Sequence, residues 1–321
     1  MFKSILVPLD GSALAECVLP HVVAMARPFG ALVTLVHVSE PQDAERTVRP
    51  VNAVDWSIRT IEADAYLDKT AQRLQAAGLE VRWERLEGQP AGQILAFAHQ
   101  NDVDLVIVSS HGRSGLTGWN VSSVVQKIIS RARLSVLIVR AYQPTGRDIT
   151  ALACQRLLLP LDCSQRAAQA LPIATMLARF HSAELLLAHV VPKPEMPRRR
   201  PLNDKELELI DTITKMNRAE AQRYLEETQA SVDSEGAAVR SLLLVSENPA
   251  WSLHQLVEEE AIDLVLMSAH GFSGSTKWPY GSLVLNFVAY GSTPLLIVQD
   301  MDPDQLEPTR AEIVAREPTG H

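Results

Sequence analysis

Two short segments carry side chains able to engage a ligand, and each occurs twice. Pro8-Leu9-Asp10-Gly11-Ser12 follows an apolar run, and Pro160-Leu161-Asp162-Cys163-Ser164 follows another one 152 positions later. A carboxylate leaving a strand can accept a hydrogen bond from an adenine amino group or a ribose hydroxyl. The plainer alternative is that Asp and Ser cap the next helix and satisfy its free amides. The second segment, Val103-Asp-Leu-Val-Ile-Val-Ser-Ser-His111-Gly112, returns 159 positions on as Ile262-Asp-Leu-Val-Leu-Met-Ser-Ala-His270-Gly271. In the later copy, Ser268-Ala-His270-Gly271-Phe-Ser-Gly274 leads through a short loop into Gly281-Ser282 and an apolar helix. Small residues let backbone amides approach an anion, and a serine at a helix start adds a hydroxyl and a favourable dipole end. This is phosphate-cradle chemistry without a Walker motif, because no Gly-Lys-Ser/Thr follows. Taken alone, the glycine loop also reads as a simple turn.

Other reactive side chains are less instructive. His111 and His270 recur, but nothing in the sequence sets a nucleophile or a metal ligand beside them, so a loop-ordering role is favoured over acid–base work. Cys17, Cys154 and Cys163 are an odd set without metal-type spacing and read as reduced thiols. Cys163, beside the first motif, reads as a packing residue ahead of a redox role. Arg198-Arg-Arg200, flanked by Pro197 and Pro201, reads as a solvated loop ahead of a phosphate or partner contact.

These segments need a scaffold, and the apolar periodicity supplies it twice. Strands are expected at 3–9, 31–38, 79–86, 104–109 and 134–140, with helices at 12–28, 56–77, 90–100 and 120–131. The second series is strands at 155–161, 183–191, 237–245, 263–268 and 294–299, with helices at 164–180, 202–230, 248–260 and 280–290. Apolar strands alternating with helices specify an α/β fold: two tandem doubly wound open sheets of five parallel strands each. Domains are expected at 1–142 and 153–300, joined by a linker at 143–152 and followed by an acidic tail at 301–321. Between the second strand and third helix the offset between copies grows from 152 to 159, a gain of seven residues assigned to the loop region around 192–201.

Composition narrows the classes. The chain has 321 residues, 46% of them hydrophobic and 21% charged, ordinary for a soluble globular protein. Residues 1–150 hold 15 basic and 15 acidic side chains, leaving 15 and 23 for the remainder, so the net charge of -8 sits in the second half and tail. An acidic surface is poor for phosphate-backbone binding, which argues against nucleic acid as a partner. The apolar start is cut short by Pro8 and Asp10, and no run approaches the roughly 18 apolar residues of a membrane span. A cytoplasmic location, away from membrane, is expected.

Together, the motifs resemble the universal stress protein family. Its nucleotide-binding members carry an Asp after the first strand and a G-x2-G-x9-G-S/T loop after the fourth. The later copy reads Ser268-x2-Gly271-x9-Gly281-Ser282, with only the first glycine altered. The earlier copy reads Ser109-x2-Gly112-x9-Ser122-Ser123, with two of three glycines replaced, although Arg113, Ser114 and Gly115 match the usual loop. The resemblance implies a Rossmann-like fold of the adenine-nucleotide alpha-hydrolase type. It implies ATP or another adenine nucleotide as ligand, with Mg2+ as a candidate companion. Adenine and ribose would meet Asp162 and the backbone near Val190, or Asp10 and that near Val38. Phosphates would meet Ser268, His270, Gly271, Gly274, Gly281 and Ser282 in the second domain. In the first, weaker domain they would meet Ser109, Gly112, Arg113, Gly115, Ser122 and Ser123. A Cβ at Ser122 would hinder phosphate most if that position required positive φ.

The leading expectation is a stress-response regulator or protective factor that binds nucleotide better in its second half and is not a metabolic enzyme, any ATP hydrolysis being slow. A nucleotide-independent interaction scaffold is the alternative, and a phosphotransferase the least favoured. The resemblance also implies pairing of the fifth strands, 134–140 with 294–299, as an internal pseudo-dimer, with homodimers and an unidentified protein partner beyond that.

Overall fold

The computed structural model describes residues 1–40, 53–112, 121–141, 148–194, 203–272 and 279–300. Arg113, Gly115, Gly274, Arg198–Arg200, residues 143–147 of the linker and the tail lie outside them. The chain divides into two compact units, one built on Met1–Ala153 and the other on Cys154–Ser275 and Tyr280–Asp300.

In the first unit, β1 (Ser4–Pro8), β2 (Leu32–Ser39), β3 (Val81–Glu87), β4 (Leu105–Ser109) and β5 (Ser135–Val139) form a parallel sheet in the order β3-β2-β1-β4-β5. In the second, β6 (Arg156–Pro160), β7 (Glu184–Pro192), β8 (Val239–Ser246), β9 (Leu264–Ser268) and β10 (Leu295–Val298) repeat it as β8-β7-β6-β9-β10. Central strands are apolar on both faces because helices cover both. Ile5, Leu6, Val7, Leu157, Leu158 and Leu159 are fully buried. The outer strand β3, Val-Arg-Trp-Glu-Arg-Leu-Glu, instead alternates half-buried with exposed positions over most of its length.

The helices are α1 (Leu19–Phe29), α2 (Ala53–Ala76), α3 (Pro90–Gln100) and α4 (Ser123–Arg131), then α5 (Gln165–Ala168), α6 (Leu171–His181), α7 (Asp204–Ser234), α8 (Pro249–Glu259) and α9 (Ser282–Tyr290). Two details correct the periodicity. The single first helix expected in each half is broken: a 3-10 turn at Ala15–Val18 precedes α1, and α5 precedes α6. Pro20 and Pro172 are the reason, since a proline fits the first turn of a new helix and cannot continue an old one. The seven extra residues of the second copy match helix rather than loop, for α7 has 31 residues against 24 in the described α2. An Asn203/Glu206 capping box starts α7, and seven residues are close to two turns, so the inward face keeps its phase.

In each half the chain runs from the central strand to one side and returns to the other, so β1/β4 and β6/β9 bound the crevice where ligands of such sheets bind. These two contacts are short: only Ile5–Leu105 and Leu6–Val106 pair in the first, and Leu157–Leu264 and Leu158–Val265 in the second. At the opposite, amino end a repeated carboxylate ties the same strands. Asp104 accepts from Lys3 and Ser4 amides at 2.6 and 2.9 Å, and Asp263 from Gln155 and Arg156 at 2.6 and 2.9 Å. Among the described residues no helix is long and apolar enough to cross a membrane.

His21, buried in α1, has its pKa lowered by burial to about 4, and the matching position 152 residues on is Ile173. The unfolded chain takes up a proton near pH 6.5 and the folded chain does not, so stability falls as pH drops from about 6.5 toward 4, by about 3 kcal/mol in all. Denaturant melts of His21→Ile over that range are expected to lose this share of the pH dependence while the rest persists.

Candidate functional site

Asp162 leaves β6 and is held at both oxygens. Oδ1 accepts from the Ser164 amide at 3.1 Å, and Oδ2 accepts from the Phe272 amide, in the loop after β9, at 2.6 Å. Helix capping falls to its neighbour: Ser164 Oγ accepts from the Ala167 amide at 3.1 Å. The first half repeats the arrangement, with Asp10 Oδ1 accepting from Ser12 at 2.9 Å and Ser12 Oγ accepting from Ala15 at 3.1 Å. Asp162 thus ties the first strand of its half to the loop across the crevice, while Ser caps in both halves.

That tie explains the glycine of each His-Gly pair. A Cβ on Gly112 would lie 2.1 Å from Asp10 Oδ2, and one on Gly271 would lie 2.1 Å from Asp162 Oδ2. Neither glycine has a left-handed φ, so each is required by the carboxylate against it. Gly11 does need its freedom, at φ 80°, and Cys163 adopts the same left-handed conformation at φ 65°.

On the other side of the crevice, the central strands stop short of their neighbours. Leu9 donates its amide to Val36 O at 2.8 Å, and Leu161 donates to Ala188 O at 2.8 Å, so Val36 and Ala188 face the central strand. Backbone direction alternates along a strand. Val38 and Val190 therefore aim their amide and carbonyl to that same side, past the last paired residues, Pro8 and Pro160. His37 and His189 secure the rim: each Nδ1 donates to a carbonyl, Leu9 O at 2.8 Å and Leu161 O at 2.7 Å. Both histidines recur at the constant offset, which is the sequence signal for this role.

The loops after β4 and β9 differ. Ser109 Oγ is consumed internally, its one proton shared between Leu14 O at 3.0 Å and His111 O at 2.6 Å while it accepts from Cys17. Ser268 Oγ is buried and has no hydrogen-bond partner. Ser122 caps α4 through its hydroxyl, which accepts from the Val125 amide at 3.4 Å, whereas α9 begins at Gly281 with no side-chain cap. Ser122 (φ -68°) and Gly281 (φ -74°) have the same extended backbone, so the replacement carries no left-handed strain. What Ser122 changes is occupancy of the helix end. Ser123 and Ser282 are the first residues of α4 and α9.

His270 has a partner invisible in the sequence: its Nδ1 lies 2.8 Å from Asp300 Oδ1, and both side chains are buried. Arg166 Nε stands 3.8 Å from the other oxygen of Asp300. In the first half Ala141 replaces Asp300, and His111 Nδ1 meets Ser110 Oγ at 3.1 Å. Both histidines are buried and turned toward these partners. The thiols are not activated. Burial raises the pKa of Cys17; burial and Asp263 push Cys154 up to about 12; and burial, Asp162 and Glu220 raise that of Cys163. Among the described residues, no cluster of His, Cys, Asp and Glu is arranged to hold a metal ion.

Comparison with known proteins agrees with the duplicated architecture. A sequence model of the universal stress protein family matches residues 1–140 and again 154–299. Universal stress protein MJ0531 of Methanocaldococcus jannaschii is 28% identical over 144 residues, covering 44% of this chain and 83% of its own length. Universal stress protein MJ0577 of the same organism is 27% identical over 155 residues, covering 44% and 96%. A solved universal stress protein from Archaeoglobus fulgidus shares the fold over 94% of this chain and 97% of its own, with TM-score 0.62 at 17% identity. This chain belongs to the universal stress protein family and carries two of its domains in tandem.

The carboxylate–glycine contact yields a test by double-mutant cycle. Gly271→Ala is expected to destabilise the second unit by about 2 kcal/mol, through displacement of Asp162 and loss of its bond to Phe272. Asp162→Ala should also destabilise, and the double variant should cost clearly less than the sum of the two. Additive losses in urea melts would show that glycine and carboxylate do not compete for space.

Proposed function

We propose that the chain is an adenine-nucleotide-binding stress-response regulator or protective factor, with its better site in the second domain. The observation that carries this reading is the set of polar groups left without internal partners where phosphates would rest. Ser268 Oγ is buried and unpaired, and α9 starts without a side-chain cap. A buried hydroxyl without a partner costs free energy, and an uncapped helix start attracts anions. A bound phosphate answers both. The edges of Val38 and Val190 offer one donor and one acceptor toward the crevice, the complement of an adenine edge. Asp10 and Asp162 would fix the loop that receives the ribose and phosphates.

Binding, rather than turnover, is the output in this reading. The imidazole of His270 is occupied by Asp300, and the phosphate end offers amides and hydroxyls. Ser268, Gly271, Gly281 and Ser282 would hold the phosphates of ATP or a related nucleotide, with or without Mg2+, alongside Gly274 of the same loop. The equivalent first-domain set, Ser109, Gly112, Ser122 and Ser123 with Arg113 and Gly115, would bind more weakly. Its Ser109 and Ser122 hydroxyls are already spent on the protein.

Exchanging the helix-start residues tests both parts. Isothermal titration of the full chain with ATP and AMP, with and without Mg2+, is expected to show about 10-fold weaker binding for Gly281→Ser and tighter first-domain binding for Ser122→Gly. Wild-type protein that binds neither nucleotide would sink the reading. Binding indifferent to Gly281→Ser would sink the preference for the second domain.

A further inference from the structure

One more pair of groups recurs near the crevice. Ala63-x2-Tyr66-Leu-x2-Thr70 in α2 is matched by Ala221-x2-Tyr224-Leu-x2-Thr228 in α7, at an offset of 158. The hydroxyls of Tyr66 and Tyr224 are both buried, and neither has a hydrogen-bond partner. The proton of each nearby threonine is spent on the backbone: Thr70 Oγ1 donates to Tyr66 O at 2.8 Å, and Thr228 Oγ1 to Tyr224 O at 2.7 Å. Buried phenol oxygens normally find a partner. An orphan at the same place in two copies is a repeated structural feature, not an accident of one site.

The surroundings identify where the missing partner belongs. Burial and then the negative charge of Glu16 raise the Tyr66 pKa, the Thr70 side chain opposes them, and smaller effects come from Asp10, which raises it, and Arg73, which lowers it. Burial raises that of Tyr224 as well, opposed by Thr228 and assisted by Cys163 and Asp162. Each phenol therefore senses the turn that follows the first strand of its own half, and each stays protonated, a donor, at neutral pH. Topology fixes the side: α2 and α7 follow β2 and β7, which carry Val38 and Val190, whereas the phosphate loops follow β4 and β9 across the crevice.

We infer that Tyr66 and Tyr224 are ligand-binding residues whose hydroxyls donate to an acceptor on the nucleoside part of the ligand, a ring nitrogen or a ribose oxygen. The inference rests on the nucleotide reading above and adds to it a contact blind to phosphate number. It also separates these tyrosines from the folding core, because a hydroxyl that bonds only to ligand contributes nothing favourable to the ligand-free protein.

The test is titration of full-length wild type, Tyr66→Phe, Tyr224→Phe and the double variant with ATP, AMP and adenosine, together with ligand-free melting curves. Tyr224→Phe is expected to weaken second-domain binding about 5-fold, equally for all three ligands, and Tyr66→Phe to do the same at the weaker first-domain site. Ligand-free melting temperatures should stay level or rise, since an unsatisfied buried hydroxyl has been removed. Unchanged affinity in the double variant, or a loss confined to ATP, overturns the inference while leaving nucleotide binding intact. A drop of several degrees in ligand-free melting temperature overturns it too, by revealing a structural hydrogen bond. Wild type that takes up none of the three ligands removes the nucleotide reading itself and this contact with it.

Discussion

Everything at the carboxyl end of each sheet is arranged around one carboxylate reaching over a gap. Beyond two paired residues, the central strand and its neighbour on the return side share no ladder, yet Asp162 spans the opening and takes the Phe272 amide at 2.6 Å. The space this requires excludes a side chain at Gly271, and the same exclusion holds between Asp10 and Gly112. Asp, Ser and Gly at these positions are therefore one unit. The carboxylate bridges, the serine caps and the glycine gives way. A ligand in the crevice would meet loops already ordered by this bridge, which lowers the entropy that binding must overcome.

Much of this was legible because the chain is written twice. Repetition separated residues held in place by the fold from incidental ones, and it located strands, crevice and both motifs to within a few residues. What sequence could not separate were two roles for similar residues on the same turn. Taken alone the aspartates looked first like caps and second like ligand contacts, and only the distance to Phe272 shows Asp162 reaching across the gap. The replacement of Gly281 by Ser122 looked like a question of backbone strain. Equal φ values show it to be a question of which group occupies the helix end.

Other features were hidden for a different physical reason: their partners lie far away in sequence. Asp300 is 30 residues from His270, and Leu9 and Leu161 are each 28 residues from the histidine they engage. No local pattern encodes such pairs. The broken first helix was in principle readable from Pro20 and Pro172, but an apolar stripe continuing through both prolines masked the interruption. The two orphan tyrosines were concealed by length, since the longer α7 shifts the offset at the very place where they recur.

The carboxylates at the amino ends, Asp104 and Asp263, bring a mechanical consequence. Each grips two successive amides of the strand beside it, so the central pair of strands is fastened at its amino end in both halves, and in the second half Asp162 fastens it at the carboxyl end as well. Strands pinned in this way cannot slide past each other without breaking these hydrogen bonds. The register of the central strands is thereby fixed at the amino end of each sheet, by carboxylates that take no part in the crevice at the other end.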